Sequence, residues 1–129
     1  MHCFDRDMLI LLHDVARMQR TRFDQWARTY GMTRAQGIIL NRLNSQPGIS
    51  QKELSELLEV EPITVARLVD RLEAPGMVER RPDPRDRRIW RLHLMSTAHE
   101  VLHDIAEQRA EMTRMVAQGI DDDALETFI

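Results

Sequence analysis

The 129-residue chain carries 18 Lys+Arg against 21 Asp+Glu, a formal net charge of −3. That length can bury one real core and excludes a second full domain, and a composition 43% hydrophobic and 30% charged excludes wholesale disorder. A globally basic nucleic-acid binder is excluded as well, yet every basic residue except Lys52 is an arginine, which leaves room for a local site built on planar, bidentate contacts.

Over residues 5–30 the apolar side chains Met8, Leu11, Leu12, Val15, Met18, Phe23, Trp26 and Tyr30 recur at helical spacing. Leu9 and Ile10 widen that stripe, so the helix is expected to be buried on two sides, against its own domain and against a partner chain. The apolar run Met8 to Leu12 is too short to span a bilayer and has neither a basic leader nor a cleavage site. Cys3, the single cysteine, excludes an intrachain disulfide, and Asp5 and Asp7 have the wrong sign to activate its thiol. A cytoplasmic protein with no membrane partner and no cofactor is expected.

Gly31 ends the first helix, and Thr33 with Gln36 forms a capping box for the second, which buries Ile39, Leu40 and Leu43. After the turn Gln46-Pro47-Gly48, Ser50 and Glu53 predict another box and a helix to about Leu58 that buries Leu54, Leu57 and Leu58. Glu59-Val60-Glu61 breaks the pattern, and Pro62 opens a fourth helix that turns Val65, Leu68, Val69 and Leu72 inward. Ala74-Pro75-Gly76 stops it. Met77–Arg80 and Ile89–Leu94 then read as a β-hairpin around a charged tip. Thr97 and Glu100 predict a capping box on a long helix to about Ala117 that buries Val101, Leu102, Ile105, Met112 and Met115/Val116, and Asp121-Asp122-Asp123 caps a last helix from Ala124. That helix stops after two turns, so a tail is expected beyond it.

Two capped helices joined by three residues and followed by a hairpin spell a winged helix-turn-helix. The second helix enters a major groove in such a fold, where Thr64 and Arg67 have the chemistry to read base edges and Pro62 and Ile63 can meet a thymine methyl. Charge sharpens the pattern. Residues 50–73 hold three basic and six acidic side chains, net −3, whereas residues 80–91 hold six Arg against two Asp, net +4. The wing therefore supplies the positive potential that phosphates and a narrow minor groove require.

From Gly31 to Leu94 the chain resembles the MarR-type (multiple antibiotic resistance regulator) family. The likeness rests on Gly31-Met32-Thr33-x-x-Gln36, Ile49-Ser50-Gln51-Lys52-Glu53-Leu54, Thr64-Val65-x-Arg67-Leu68-Val69-Asp70-Arg71-Leu72-Glu73 and Gly76-Met77-Val78-Glu79-Arg80. The wing motif Asp83-Pro84-Arg85-Asp86-Arg87-Arg88 is its most specific piece, and Leu11-Leu12-His13-Asp14-Val15-Ala16-Arg17 resembles the family's first helix. The resemblance implies a single MarR-like domain over residues 1–129, mainly α with a small β-hairpin wing. Within it, residues 33–95 would form the DNA-binding lobe, flanked by dimerisation helices at 5–30 and 97–129. It further implies a homodimeric repressor of a pseudo-palindromic operator on double-stranded DNA, released by a small-molecule effector such as an aromatic or phenolic compound. The implied DNA contacts are Ser50, Gln51, Pro62, Ile63, Thr64, Arg67, Arg71, Arg85, Arg87 and Arg88, with Arg87 in the minor groove. Arg88 is alternatively expected to brace the wing by pairing with Asp70.

Gly37 stands where the family carries a large apolar residue, and either a neighbouring side chain fills the space or an effector cavity does. The effector site is expected near His13, Arg17, Gly37 and Met112, with Arg17 as counter-charge. Met95 and Ala98 replace the family's Thr and Gly before the fifth helix, leaving Ser96 or Thr97 to cap it. Finally, His99-Glu100-Val101-Leu102-His103 matches H-E-x-x-H, a zinc-peptidase helix motif. Without an evident third ligand a zinc hydrolase is disfavoured and no enzyme is expected; a zinc-responsive regulator using His99 and His103 with Glu107 is the alternative.

Overall fold

The computed structural model describes residues 3–128, with side chains from residue 7 onward, so the Cys3 thiol lies outside the described residues. Six helices and one hairpin follow in order: α1 (Cys3–Arg28), α2 (Arg34–Ser45), α3 (Gln51–Leu58), α4 (Pro62–Glu73), β1 (Val78–Pro82), β2 (Trp90–Leu94), α5 (Ser96–Ala117) and α6 (Asp122–Phe128). The fold is mainly α with a two-stranded wing, the expected winged helix-turn-helix between flanking helices.

The helix starts follow local chemistry. Thr33 Oγ1 accepts from the Gln36 backbone N–H at 3.3 Å, and Gln36 Oε1 accepts from the Thr33 N–H at 2.8 Å, completing the capping box of α2. Ser50 Oγ accepts from the Glu53 N–H at 3.0 Å and caps α3, while the Glu53 carboxylate turns away toward Arg91. One core joins these elements: Phe23 and Ala27 of α1, Ile39, Leu40 and Leu43 of α2, Leu54, Val65, Val69, Leu72, Val78, Leu92, Ala98, Leu102 and Ile105. Each branched side chain fully buried there contributes about 1.5–3 kcal/mol.

The structure corrects several boundaries and burial assignments. α5 starts from Met95, which offers no side-chain cap; Thr97 Oγ1 instead donates to the Gly76 carbonyl at 2.7 Å, tying α5 back to the end of α4. Leu57 is exposed, whereas Leu54 of the same helix is fully buried. α6 begins at Asp122, since the Asp121 carbonyl and carboxylate both accept N–H groups of the first turn. Met115 and Val116 are exposed and Met112 is half-buried. Among the described side chains of α1, residues 7–20 are equally bare, with Met8, Leu9, Ile10, Leu11, Leu12, Val15 and Met18 all exposed.

Gly37 marks a close approach rather than a cavity. A Cβ at that position would lie 3.1 Å from Phe23 Cζ and 3.8 Å from Ile105 Cδ1, so the Phe23 ring occupies the volume that a larger side chain here would need. Of the two alternatives expected at Gly37, a neighbouring side chain and an effector cavity, it is the neighbouring Phe23 ring that fills the space.

Arg80 locks the wing to the helix-turn-helix. Its Nε donates to Gln51 Oε1 at 3.0 Å, Nη2 to the Ala66 carbonyl at 2.8 Å, and Nη1 to Glu73 Oε1 at 2.9 Å, while Asp70 Oδ1 lies 2.7 Å from Nη1. The side chain is only 15% exposed, and these contacts span α3, α4 and β1. Asp70 is thus the partner of Arg80, not of Arg88, whose guanidinium grips Asp86 through Nε and Nη2 at 3.0 Å each. The expected Arg88–Asp70 brace is replaced because Asp86 is only two residues from Arg88, so that pair closes almost no loop.

Two stability measurements follow. Arg80→Ala should destabilise the fold by about 2–3 kcal/mol in urea titration, and the Asp70→Ala/Arg80→Ala cycle should show about 1 kcal/mol of coupling, reduced by the exposure of Asp70. The corresponding Asp70→Ala/Arg88→Ala cycle should be additive. Gly37→Leu should cost about 1–3 kcal/mol by displacing the Phe23 ring, and Phe23→Ala in the same chain should recover part of it; a neutral Gly37→Leu would show open space instead.

Candidate nucleic-acid interface

The α3–α4 turn sets the angle of α4. Glu59 adopts the left-handed conformation (φ 55°) and its N–H meets the Glu56 carbonyl, after which the Val60 N–H bonds the Ser55 carbonyl at 3.1 Å. Val60 packs against the core, and Pro62 opens α4 where no N–H is needed. The Glu61 carbonyl accepts from Thr64 and Val65. With Val65, Val69 and Leu72 buried, α4 leaves Pro62, Ile63, Thr64, Arg67 and Arg71 exposed on its outer side.

The wing is an antiparallel pair with Val78 opposite Leu94, Arg80 opposite Leu92 and Pro82 opposite Trp90. Its tip is organised by Asp83, whose Oδ1 accepts the N–H groups of Arg85 at 2.7 Å and Asp86 at 3.2 Å, and whose Oδ2 accepts from Arg91 Nε at 2.9 Å. The Arg85 N–H and then Arg91 hold the Asp83 carboxyl below its ordinary range, and the Arg88 side chain does the same for Asp86. Both stay ionised at neutral pH, so these pairs persist. Arg91 also donates to the Gly48 carbonyl at 3.2 Å and meets Glu53 at 3.5 Å, anchoring the wing to the start of α3.

Intrachain pairing sorts the wing arginines. Arg80 is clamped, Arg81 pairs with Glu79, Arg88 with Asp86, and Arg91 with Asp83 and Glu53. Among the described residues only Arg85 and Arg87 of this group have no ionic partner, and Arg67 and Arg71 on α4 have none either. Those four guanidiniums, on the tip and on the outer side of α4, are free to meet an anion. Of the other expected contacts, Ser50 is buried as a cap and Gln51 is half-buried with its amide oxygen on Arg80. Sequence reasoning missed the structural roles of Arg80 and Arg91. Strand alternation carried the signal for Arg80, which shares its parity with the buried Val78.

The remaining sites do not converge. His13 and Arg17 are exposed on α1, with Arg17 3.9 Å from Asp14. Met112 lines a separate open cleft between α1 and α5 with Arg22, Gln25, Trp26, Gln108, Glu111 and Met115. His99 and His103 are exposed on α5, and His103 Nε2 lies 3.2 Å from Glu107 Oε1. Among the described residues no three His, Cys, Asp or Glu side chains gather as a metal would require, so the zinc-regulator and zinc-hydrolase alternatives are not supported. No described helix is long and apolar enough to cross a membrane.

Residues 30–89 match the model of the MarR family. The uncharacterised HTH-type transcriptional regulator YybA of Bacillus subtilis is 28% identical over 97 residues, 75% of this chain and 65% of YybA, so this chain spans slightly under two thirds of that relative. A crystal structure of MarR superposes with a TM-score of 0.83 at 29% identity, covering 92% of this chain and 80% of that one. The S. aureus MepR–DNA complex shares the fold, with a TM-score of 0.74 at 21% identity over 92% of this chain and 86% of its own. In fold, and in the sequence of its helix-turn-helix and wing over residues 30–89, the chain is similar to MarR-family winged-helix proteins.

Proposed function

We propose that the chain acts in the cytoplasm as a homodimeric repressor that binds a pseudo-palindromic operator and blocks transcription by occupying it. One observation carries this: the exposed outer side of α4, with Arg67 and Arg71 unpaired, is rigidly clamped beside a wing tip whose Arg85 and Arg87 are also unpaired. Residues 33–95 are the reading lobe, with Pro62, Ile63, Thr64 and Arg67 in the major groove and Arg87, beside Arg85, in the flanking minor groove. Arg71 and Arg88 lie nearer phosphates, while Ser50 and Gln51 act by fixing α3. That MepR, which shares this fold, is complexed with DNA supports DNA as the partner here.

Residues 5–30 and 97–129 form the dimer helices. Support comes from the apolar side chains that α1, α5 and α6 leave bare, among them Leu9 at 65%, Leu11 at 61% and Val116 at 56% exposure, an extended surface that a monomer rarely presents to water. Two-fold symmetry then sets the two α4 helices about one DNA turn apart. Release by a small aromatic or phenolic effector fits the α1–α5 cleft better than Gly37: Met112, Met115 and Trp26 supply apolar wall and Arg22 a counter-charge.

The Arg67→Ala/Arg87→Ala double variant tests the function. Retention on its own promoter DNA should fall by about a hundredfold or more, with a shallower dependence of log Kd on log salt. Unchanged retention would favour a protein-interaction module that keeps the fold without reading DNA.

A further inference from the structure

α4 spends an apolar side chain on water. Ile63, its second residue, is 61% exposed, whereas Val65 and Val69 of the same helix are fully buried. Ile63, Arg67 and Arg71 are spaced four residues apart, so they stand in one outward row, with Thr64 beside it. Neither Asn nor Gln occurs anywhere in α4, and Gln51 of α3 has its amide oxygen on Arg80. The row therefore lacks the side chains that read adenine bidentately, and the apolar contact that Ile63 offers an A·T pair is to the thymine methyl.

We infer that Ile63 reads the C5-methyl group of a thymine and that Arg67 reads a guanine about two base-pair steps away in the same half-site. This rests on the proposal that α4 enters the major groove. The spacing follows from geometry: four residues of helix rise about 6 Å, against about 3.4 Å per base-pair step. The chemistry has a further consequence. Isoleucine has neither donor nor acceptor, so it is blind to the thymine O4 and the cytosine N4 amine and responds to the methyl alone. At that step 5-methylcytosine is equivalent to thymine for Ile63, and uracil is equivalent to cytosine.

The test uses the full chain and duplexes selected with it from a random DNA pool. In the consensus duplex each invariant thymine is replaced in turn by deoxyuridine, cytosine or 5-methylcytosine, and Kd is read by fluorescence anisotropy. At one thymine per half-site the wild type should bind the deoxyuridine duplex about three- to fivefold more weakly, and 5-methylcytosine should recover the same factor relative to cytosine. Ile63→Ala should bind thymine and deoxyuridine duplexes equally with an unchanged melting temperature, because the side chain holds no core contact. A guanine whose replacement by 7-deazaguanine is costly to the wild type and neutral to Arg67→Ala should lie within about three steps of that thymine. The inference is overturned if no thymine is distinguished from deoxyuridine, if Ile63→Ala keeps the discrimination, or if the guanine lies farther away. Absence of saturable binding to any selected duplex overturns the DNA-binding proposal itself, an outcome distinct from binding without methyl discrimination.

Discussion

The arrangement of the lobe depends on one guanidinium. Arg80 leaves β1 and reaches a side chain of α3, a backbone carbonyl in the middle of α4 and two carboxylates on the same helix. A planar fork with five fixed donors can satisfy those acceptors together; a lysine ammonium could not hold the same directions. The wing and α4 therefore move as one piece, and Arg91 repeats the device at the other edge by tying the wing tip to Gly48 and Glu53. A mobile hairpin would lose entropy on meeting DNA, whereas this one is ordered beforehand.

The charge distribution follows from the same pairing. The net charge of −3 conceals a wing of net +4 over residues 80–91, but four of its six arginines are neutralised inside the chain. Arg81 and Arg88 stay exposed although paired, and among the described residues the wing and α4 guanidiniums without an ionic partner are Arg85 and Arg87 on the tip and Arg67 and Arg71 on α4. In the proposed complex, DNA would be favoured most where both sets engage together. For the proposed dimer on DNA, weak non-specific binding and a strong reliance on correctly spaced half-sites would be the physical consequence.

Much of this was legible in the sequence where the cause is local. The Thr33–Gln36 box, the Ser50 cap, Pro62 at the start of α4 and the turn glycines each act within four residues, and the order of elements came out of them. Contacts closed by tertiary packing were not legible. Nothing near Gly37 announces that the Phe23 ring, on the preceding helix, fills its space. Asp70 has several arginines in reach, and only the strand register decides that Arg80 takes it. Thr97 looked like a cap, yet the Gly76 carbonyl, brought close by the hairpin, claims its hydroxyl. The bare apolar face of α1 was readable as surplus hydrophobicity because a single contact face does not need Leu9 and Ile10.

The central claim is that Arg80 holds the wing and α4 in register, so that both grooves are met at once. Dimethyl sulfate footprinting of the selected duplex tests it in one reaction, because guanine N7 reports the major groove and adenine N3 the minor groove. Wild type should protect both, and Arg80→Met should keep the guanine N7 protection while losing adenine N3 protection beside each half-site. Equal retention of both protections in Arg80→Met, or their joint loss, would contradict the account.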